Sequence, residues 1–151
     1  MTAFQAAGFS GLAFCPVELF TTTETPIGRG VWELRVRGWG GMASTASGVR
    51  LLEECSSCKH QVFSGYTERS KLFREEAWDG SDFFVIWPLP RYIMVTQRVR
   101  EHILGEGYSG VVVRSLAELP DVIAGTLTPG HFEDWFDEVA LSRIHRKERT
   151  E

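Results

Sequence analysis

The sequence has little cysteine and no long apolar run. It contains three cysteines, Cys15, Cys55 and Cys58, and an odd number with two in one CxxC fits a reducing cytoplasm better than a secreted disulfide framework. The longest apolar runs, such as residues 83–87, are far too short to span a bilayer. Residues 1–8 carry no positive charge and no long apolar stretch, unlike a secretory signal. We therefore expect a cytoplasmic protein that does not enter a membrane.

An excess of basic residues is also absent. The 151 residues include 16 Lys and Arg against 20 Asp and Glu, which gives a net charge of −4. That balance argues against a general nucleic-acid binder, whose contact surface is basic, and it is compatible with a basic protein partner. The length predicts a single domain over residues 1–151 that can bury a continuous core.

Motifs for nucleotide binding and catalysis are missing. There is no GxxxxGK[ST], no GxGxxG before a helix, no GxSxG and no HExxH. The four histidines are scattered, and the carboxylates form no recognisable pair opposite a nucleophile or base. A thiol enzyme that uses Cys15, Cys55 or Cys58 would need a neighbouring base, and none is evident. We predict no catalytic residues and no cofactor-binding residues, and hence a protein that is not an enzyme.

What is present predicts an α+β fold with a mostly antiparallel sheet. Residues 31–37 alternate with period two, which predicts a strand with Trp32, Leu34 and Val36 facing the core. The glycine-rich residues 38–48 predict a loop. Two helix–Gly–strand units are expected, one around Gly8 with a strand at 11–17 and one around Gly107 with a strand at 111–113.

The rest of the chain completes this prediction with a hairpin and two helices. Residues 48–64 predict a hairpin with the CxxC on its turn, and residues 83–87 predict a buried strand. A helix is expected from Thr96 to Leu104 with Thr96 as its N-cap. An amphipathic helix is expected from about Gly130 to Arg146, with a frayed tail, so that residues 131–151 form the C-terminal helical segment.

The CxxC itself, Cys55-Ser56-Ser57-Cys58, leaves three interpretations open. Two thiols on a tight turn suit half of a tetrahedral zinc site, so Cys55 and Cys58 are candidate metal ligands, with zinc as the cofactor if there is one. His60, two residues past Cys58, could add a nitrogen ligand, and a fourth ligand would have to be Cys15 or a distant histidine (His102, His131 or His145). A redox pair needs a stabilised thiolate, which Glu53 and Glu54 disfavour and only Lys59 favours. The third interpretation is a structural turn with vestigial thiols.

Tryptophans are the candidate anchors for a protein partner. Most of the five should be in the core. Trp39 and Trp78 lie in glycine-containing or charged surroundings, where an exposed tryptophan would be a natural contact anchor. We take these two as candidate partner-binding residues.

From Phe4 to Pro120 the chain resembles the second half of the myxobacterial double-CXXCG paralogous family. The resemblance rests on the run at 11–19, the strand from Trp32 to Arg37, Cys55-Ser-Ser-Cys58 on its hairpin, the strand from Asp82 to Ile86 and the unit from Thr96 to Leu119. It implies an immunity protein that binds and neutralises a cognate kin-discrimination toxin in the cytoplasm. Such a protein has no reaction of its own.

Two departures from the family pattern concern the metal. The family carries two CXXCG motifs, which implies one zinc on four thiolates, as in a zinc ribbon. This chain lacks the first motif, and Lys59 replaces the glycine of the second. The metal is then either lost or shared across a dimer. The alternative function is a zinc-knuckle module that binds nucleic acid or a regulatory protein, based on the CxxC hairpin and the basic residues from Arg143 to Arg149.

Overall fold

The computed structural model describes residues 3–23 and 26–148. Within these ranges the fold is α+β, as the sequence predicts, and every strand pair except β3–β6 is antiparallel. No helix in these ranges is both long and apolar enough to cross a membrane. The elements in chain order are α1 (Ala3–Ala6), β1 (Leu12–Phe20), β2 (Pro26–Val36), β3 (Gly38–Met42), β4 (Leu51–Glu54), β5 (Gln61–Ser64), β6 (Phe83–Trp87), β7 (Met94–Val95), α2 (Gln97–Glu106), β8 (Thr126–Gly130) and α3 (Glu138–Glu148).

Strands β1 and β2 form a two-stranded hairpin, which we call the arm, that pairs with no other described strand. Burial falls along its core-facing side: Val36 is 8% exposed, Leu34 is half-buried and Trp32 is 50% exposed. The predicted strand is confirmed, but the prediction that Trp32 faces the core is wrong. The side chains of β2 alternate between the two faces as expected. The rest of the protein, however, covers only the part of the core-facing side near Val36 and leaves Trp32 exposed.

The predicted loop at 38–48 is wrong in its first half, because β3 is a strand parallel to the fully buried β6. Its glycines allow a close approach that no side chain permits. A Cβ atom at Gly38 would lie 1.9 Å from Ser81 Oγ and 2.0 Å from the Phe83 carbonyl oxygen. A Cβ atom at Gly40 would lie 2.6 Å from the Phe84 ring. The glycines therefore serve packing here rather than flexibility.

Strands β3, β6 and β7 form one three-stranded sheet, in the order β3-β6-β7. A second three-stranded sheet, in the order β4-β5-β8, carries the CxxC on the turn between β4 and β5. This confirms the predicted CxxC hairpin. Strand β4 is an edge strand, and Leu51 and Leu52 are 50% and 58% exposed. The other edge of β5 pairs with β8, and there Phe63 of β5, which is 4% exposed, lies opposite Leu127. The turn therefore projects from one end of a sheet whose centre contributes to the core.

The C-terminal helix begins later than predicted, at Glu138 rather than near Gly130. Residues Phe132–Asp134 form a separate 3-10 turn. Asp137 accepts a hydrogen bond from the Ala140 N–H (3.0 Å) at the helix start, as an N-cap residue does. The buried face of the helix contains Ala140 and Ile144, and Phe136, just before the helix, is buried as well, whereas Val139 is 57% exposed. The predicted tail falls partly on residues 149–151, which lie outside the described residues.

The helix–Gly–strand prediction is confirmed at the first position and wrong at the second. Gly8 and Gly107 both adopt left-handed conformations, with φ of 68° and 66°. Strand β1 follows the first glycine, but residues 111–113 form no strand. Val112 is 78% exposed there, because no described strand lies alongside to pair with it. An apolar β-branched triplet alone does not make a strand without a neighbour.

Candidate functional site

The CxxC turn is closed by two backbone hydrogen bonds. The Cys55 N–H donates to the His60 carbonyl (2.9 Å), and the Lys59 N–H donates to the Cys55 carbonyl (2.9 Å). Lys59 has a φ of 59°, the left-handed conformation that favours glycine. Cys58 is exposed and Cys55 is half-buried, and both thiols are free. The turn thus holds both cysteines on a short, accessible loop.

Hydrogen bonds within the turn lower the pKa of Cys55. They come from the backbone N–H groups of Cys58 and Ser57 and from the Cys58 thiol, and they outweigh partial burial and the nearby Glu53, which act in the opposite direction. The sequence argument from charge alone, that the two glutamates disfavour a thiolate, misses these backbone donors. Glu54 is engaged elsewhere, since it accepts a hydrogen bond from Gln61 (3.0 Å).

The residues around the turn do not complete a zinc site within one chain. Tetrahedral zinc needs four ligands, and Cys55 and Cys58 supply two. Nowhere in residues 3–23 and 26–148 do three or more His, Cys, Asp or Glu side chains form a group that could hold a metal ion. His60 packs edge-on against His131, with ring centroids 6.0 Å apart, and Cys15 lies in the arm opposite Glu33. Within the described residues, the turn therefore brings together two of the four ligands that tetrahedral zinc needs.

The two candidate anchor tryptophans differ in burial. Trp39 is 3% exposed, and its ring packs edge-on against Phe132 and Phe136 with centroids 5.4 Å and 5.7 Å away. It is a core residue and lacks the exposure that a contact anchor needs, so that expectation is wrong. Trp78 is half-buried; its indole N–H donates to the Ser81 carbonyl (3.1 Å) and its ring lies 5.4 Å from Phe84. Trp78 stays a predicted contact residue.

The arm exposes large apolar side chains that the sequence did not predict as contact residues. Phe20 is 52% exposed, Trp32 50%, Leu19 40% and Val31 40%. Trp32 lies opposite Pro16 and Val31 lies opposite Val17, so these neighbours project from opposite faces of the two-stranded sheet. An alternating pattern looks the same whether its apolar face is covered or open. The sequence therefore gives no signal that this end of the hairpin is exposed.

The basic segment proposed for nucleic-acid binding is partly engaged within the chain. Arg143 Nη2 lies 2.9 Å from Asp79 Oδ2, and that carboxylate also accepts the Trp39 N–H (3.0 Å). Arg146 donates to the Ser142 carbonyl (3.0 Å) along the helix. Arg149 lies outside the described residues. The first of these arginines is thus committed to an ion pair that ties α3 to the segment before β6.

Comparison of the chain with protein-family models, with curated proteins and with solved structures gave no match.

Proposed function

We propose that this chain is a non-enzymatic immunity-type protein that binds and neutralises a cognate toxin in the cytoplasm. The observation that carries the proposal is the arm, which offers Leu19, Phe20, Val31 and Trp32 to solvent. Exposed apolar side chains that a partner can cover together are a feature of protein interaction sites, and each face of the hairpin carries at least one of them. The family resemblance noted in the sequence supplies the type of partner.

The arm has the physical properties of a contact surface. At the end of the arm that carries Trp32, the exposed side chains lie on both faces of the hairpin. An isolated two-stranded hairpin is marginally stable in water, so a partner that covers one face would stabilise this end. Tryptophan is among the residues that contribute most binding energy at protein interfaces, and Trp32 is half exposed. It replaces Trp39 as the anchor expected from the sequence.

The charge of the chain favours a basic toxin. A net charge of −4 steers a basic partner toward the protein and raises its association rate at low salt. Glu18, on the arm, is exposed. We expect the association rate to fall as the salt concentration rises, while the dissociation rate changes little.

Co-expression tests the proposal directly. Immunity genes are expected beside their toxin genes, so the protein encoded by the adjacent gene is expressed with and without this chain, and growth is measured. We expect growth inhibition by the neighbour alone, rescue by this chain, and a complex of the two on size-exclusion chromatography. Absence of both rescue and complex would overturn the proposal.

Matched variants test the surface. Leu19→Ser and Leu104→Ser replace leucines that are 40% and 58% exposed, one on the arm and one on α2. We expect Leu19→Ser and Trp32→Ala to weaken toxin binding, the latter by about 30-fold, as at an interface hot spot. Leu104→Ser should bind as the unaltered protein does. Equal binding by all three variants would exclude the arm as the contact surface.

A further inference from the structure

We propose that a cleft beside the start of α2 binds a small phosphate monoester that carries an apolar group. The cleft has a volume of about 370 Å³ and lies between the end of β7 with the first turn of α2 on one side and residues 113–116 on the other. Sites for small molecules commonly have volumes of about 300–1,000 Å³, so this cleft has room for a small organic molecule. The proposal does not depend on toxin binding.

Every charged side chain that lines the cleft is an arginine. Arg100 comes from α2 and Arg114 from the facing segment, and no described carboxylate lines the cleft. Neither guanidinium forms an ion pair within residues 3–23 and 26–148. By contrast Arg98, two residues before Arg100, is bound to Asp82 at 2.6 Å. The cleft therefore carries two positive charges that the described part of the chain leaves without a carboxylate partner.

Ser115 adds a hydroxyl group to the same lining. Its Oγ accepts the Ala117 N–H (3.2 Å), and within the described residues its own hydrogen has no acceptor, so it can donate to a ligand oxygen. The Ser115 N–H donates to Glu118 (3.2 Å), which is the acidic residue nearest to Arg114 in the sequence. The donors in the cleft thus remain available to an anion from outside the chain.

The two arginines favour a ligand with two negative charges. Guanidinium groups bind phosphate oxygens through pairs of parallel hydrogen bonds, which are strengthened by the charges. A phosphate monoester carries a charge of about −1.5 to −2 at pH 7, which matches Arg100 and Arg114 together. A single carboxylate would leave one of the two guanidinium charges uncompensated.

Apolar side chains form the remaining wall of the cleft. Val95, Val113 and Leu116 line it, and each is half-buried. Inorganic phosphate would leave these side chains in contact with water. An apolar group attached to the phosphate would remove apolar surface from water on both the ligand and the protein, which is favourable. The lining therefore favours an ester over the free ion.

A nuclear magnetic resonance titration of the ¹⁵N-labelled full chain tests the proposal. The probe is phenyl phosphate, and inorganic phosphate and phenol represent its two halves. We expect phenyl phosphate to shift the amide signals of residues 95–100 and 113–116, with an affinity at least about tenfold above that of either half. Arg100→Gln and Arg114→Gln should each weaken its binding about tenfold, because each removes a charge-assisted contact.

Arg91→Gln is the matched control. Arg91 is exposed, does not line the cleft and forms no ion pair among the described residues. The substitution removes the same charge and should leave the affinity for phenyl phosphate unchanged. Arg100 and Arg114 are exposed as well, so their variants should keep the fold, which the amide spectra show directly.

Three results would overturn the proposal. One is binding of inorganic phosphate as tight as that of phenyl phosphate, which would indicate an adventitious ion only. Another is equal weakening by Arg91→Gln and by the two cleft variants, which would indicate a general attraction to positive charge. The third is the absence of shifts at residues 95–100 and 113–116 at millimolar phenyl phosphate.

Discussion

Asp82 and Arg98 form a two-point ion pair that joins the start of β6 to the start of α2. Arg98 Nη2 lies 2.6 Å from Asp82 Oδ2, and its Nε lies 3.3 Å from Oδ1. The same carboxylate accepts the Ser10 N–H (2.9 Å) and the Thr96 hydroxyl (2.9 Å). Thr96 is thus the residue before α2, as the sequence predicts, but its side chain bonds Asp82 rather than capping the helix. One carboxylate therefore ties together three segments that are distant in the sequence.

This network makes the stability of the protein depend on pH in the acid range. Burial acts to raise the pKa of Asp82, but hydrogen bonds from Arg98, Ser10 and Thr96 outweigh it and lower the pKa from 3.8 to about 2. Because the folded-state pKa lies below the unfolded one, the stabilisation is full above about pH 4 and is lost as the pH falls toward about 2. A pKa shift of this size corresponds to about 2 kcal/mol of stability. Solvent screens the interaction little, because the Asp82 side chain is only 12% exposed.

Asp82→Asn isolates this contribution. The amide cannot carry the charge, so we expect the variant to unfold at lower urea concentration at neutral pH, with a loss of about 2 kcal/mol or more. The difference between the two proteins should shrink as the pH falls from about 4 toward 2, because the native carboxylate becomes protonated as well. Urea unfolding of both proteins across this range measures it. A difference that stays constant with pH would contradict the assignment.

Gly38 and Gly105 provide opposite outcomes for the same substitution. Gly38→Ala places a methyl group 1.9 Å from Ser81 Oγ, so we expect a loss of about 3 kcal/mol or failure to fold. At Gly105, within α2, no atom beyond its chain neighbours and the backbone of the same helix lies within 4 Å of the added carbon. Gly105→Ala should therefore stabilise the protein by about 0.5–1 kcal/mol through helix propensity. Urea unfolding gives both values, and an unaffected Gly38→Ala would contradict the close β3–β6 packing.

The elements of the fold differ in how well the sequence predicts them. The elements with strong local signals, such as the apolar run 83–87, the CxxC hairpin and the helix after Thr96, could be predicted from the sequence. Strand β3 could not, because a run of glycines is typical of a loop, and only the close approach of Ser81, Phe83 and Phe84 explains it. The exposure of Trp32 and the burial of Trp39 depend on which parts of the strands the rest of the fold covers, and the local sequence does not show this. Two of the three groups that lower the pKa of Cys55 are backbone N–H groups, which no residue pattern records.

Lys59 holds the turn in a conformation that costs energy. Its φ of 59° disfavours any residue with a Cβ atom, and its ion pair with Glu54 (3.6 Å) is exposed and contributes little. We expect Lys59→Gly to stabilise the protein by about 0.5–1 kcal/mol, after the greater flexibility of glycine in the unfolded chain is counted. Lys59→Ala keeps the strain and should leave the stability unchanged. Equal stability of the two variants in urea would show that the backbone of the turn is not strained.

Alanine substitutions of Trp39 and Trp32 distinguish a core residue that stabilises the fold from an exposed residue of the arm. Trp39, which is 3% exposed, packs against Phe132 and Phe136, so Trp39→Ala should cost about 3–5 kcal/mol. Trp32 is 50% exposed on a hairpin that pairs with no other described strand, so Trp32→Ala should cost less than about 1 kcal/mol. Urea unfolding followed by far-ultraviolet circular dichroism measures both, since it does not rely on the tryptophan signal. If Trp32→Ala destabilises as much as Trp39→Ala, the arm packs on the body, and Trp32 is not an accessible anchor for a partner.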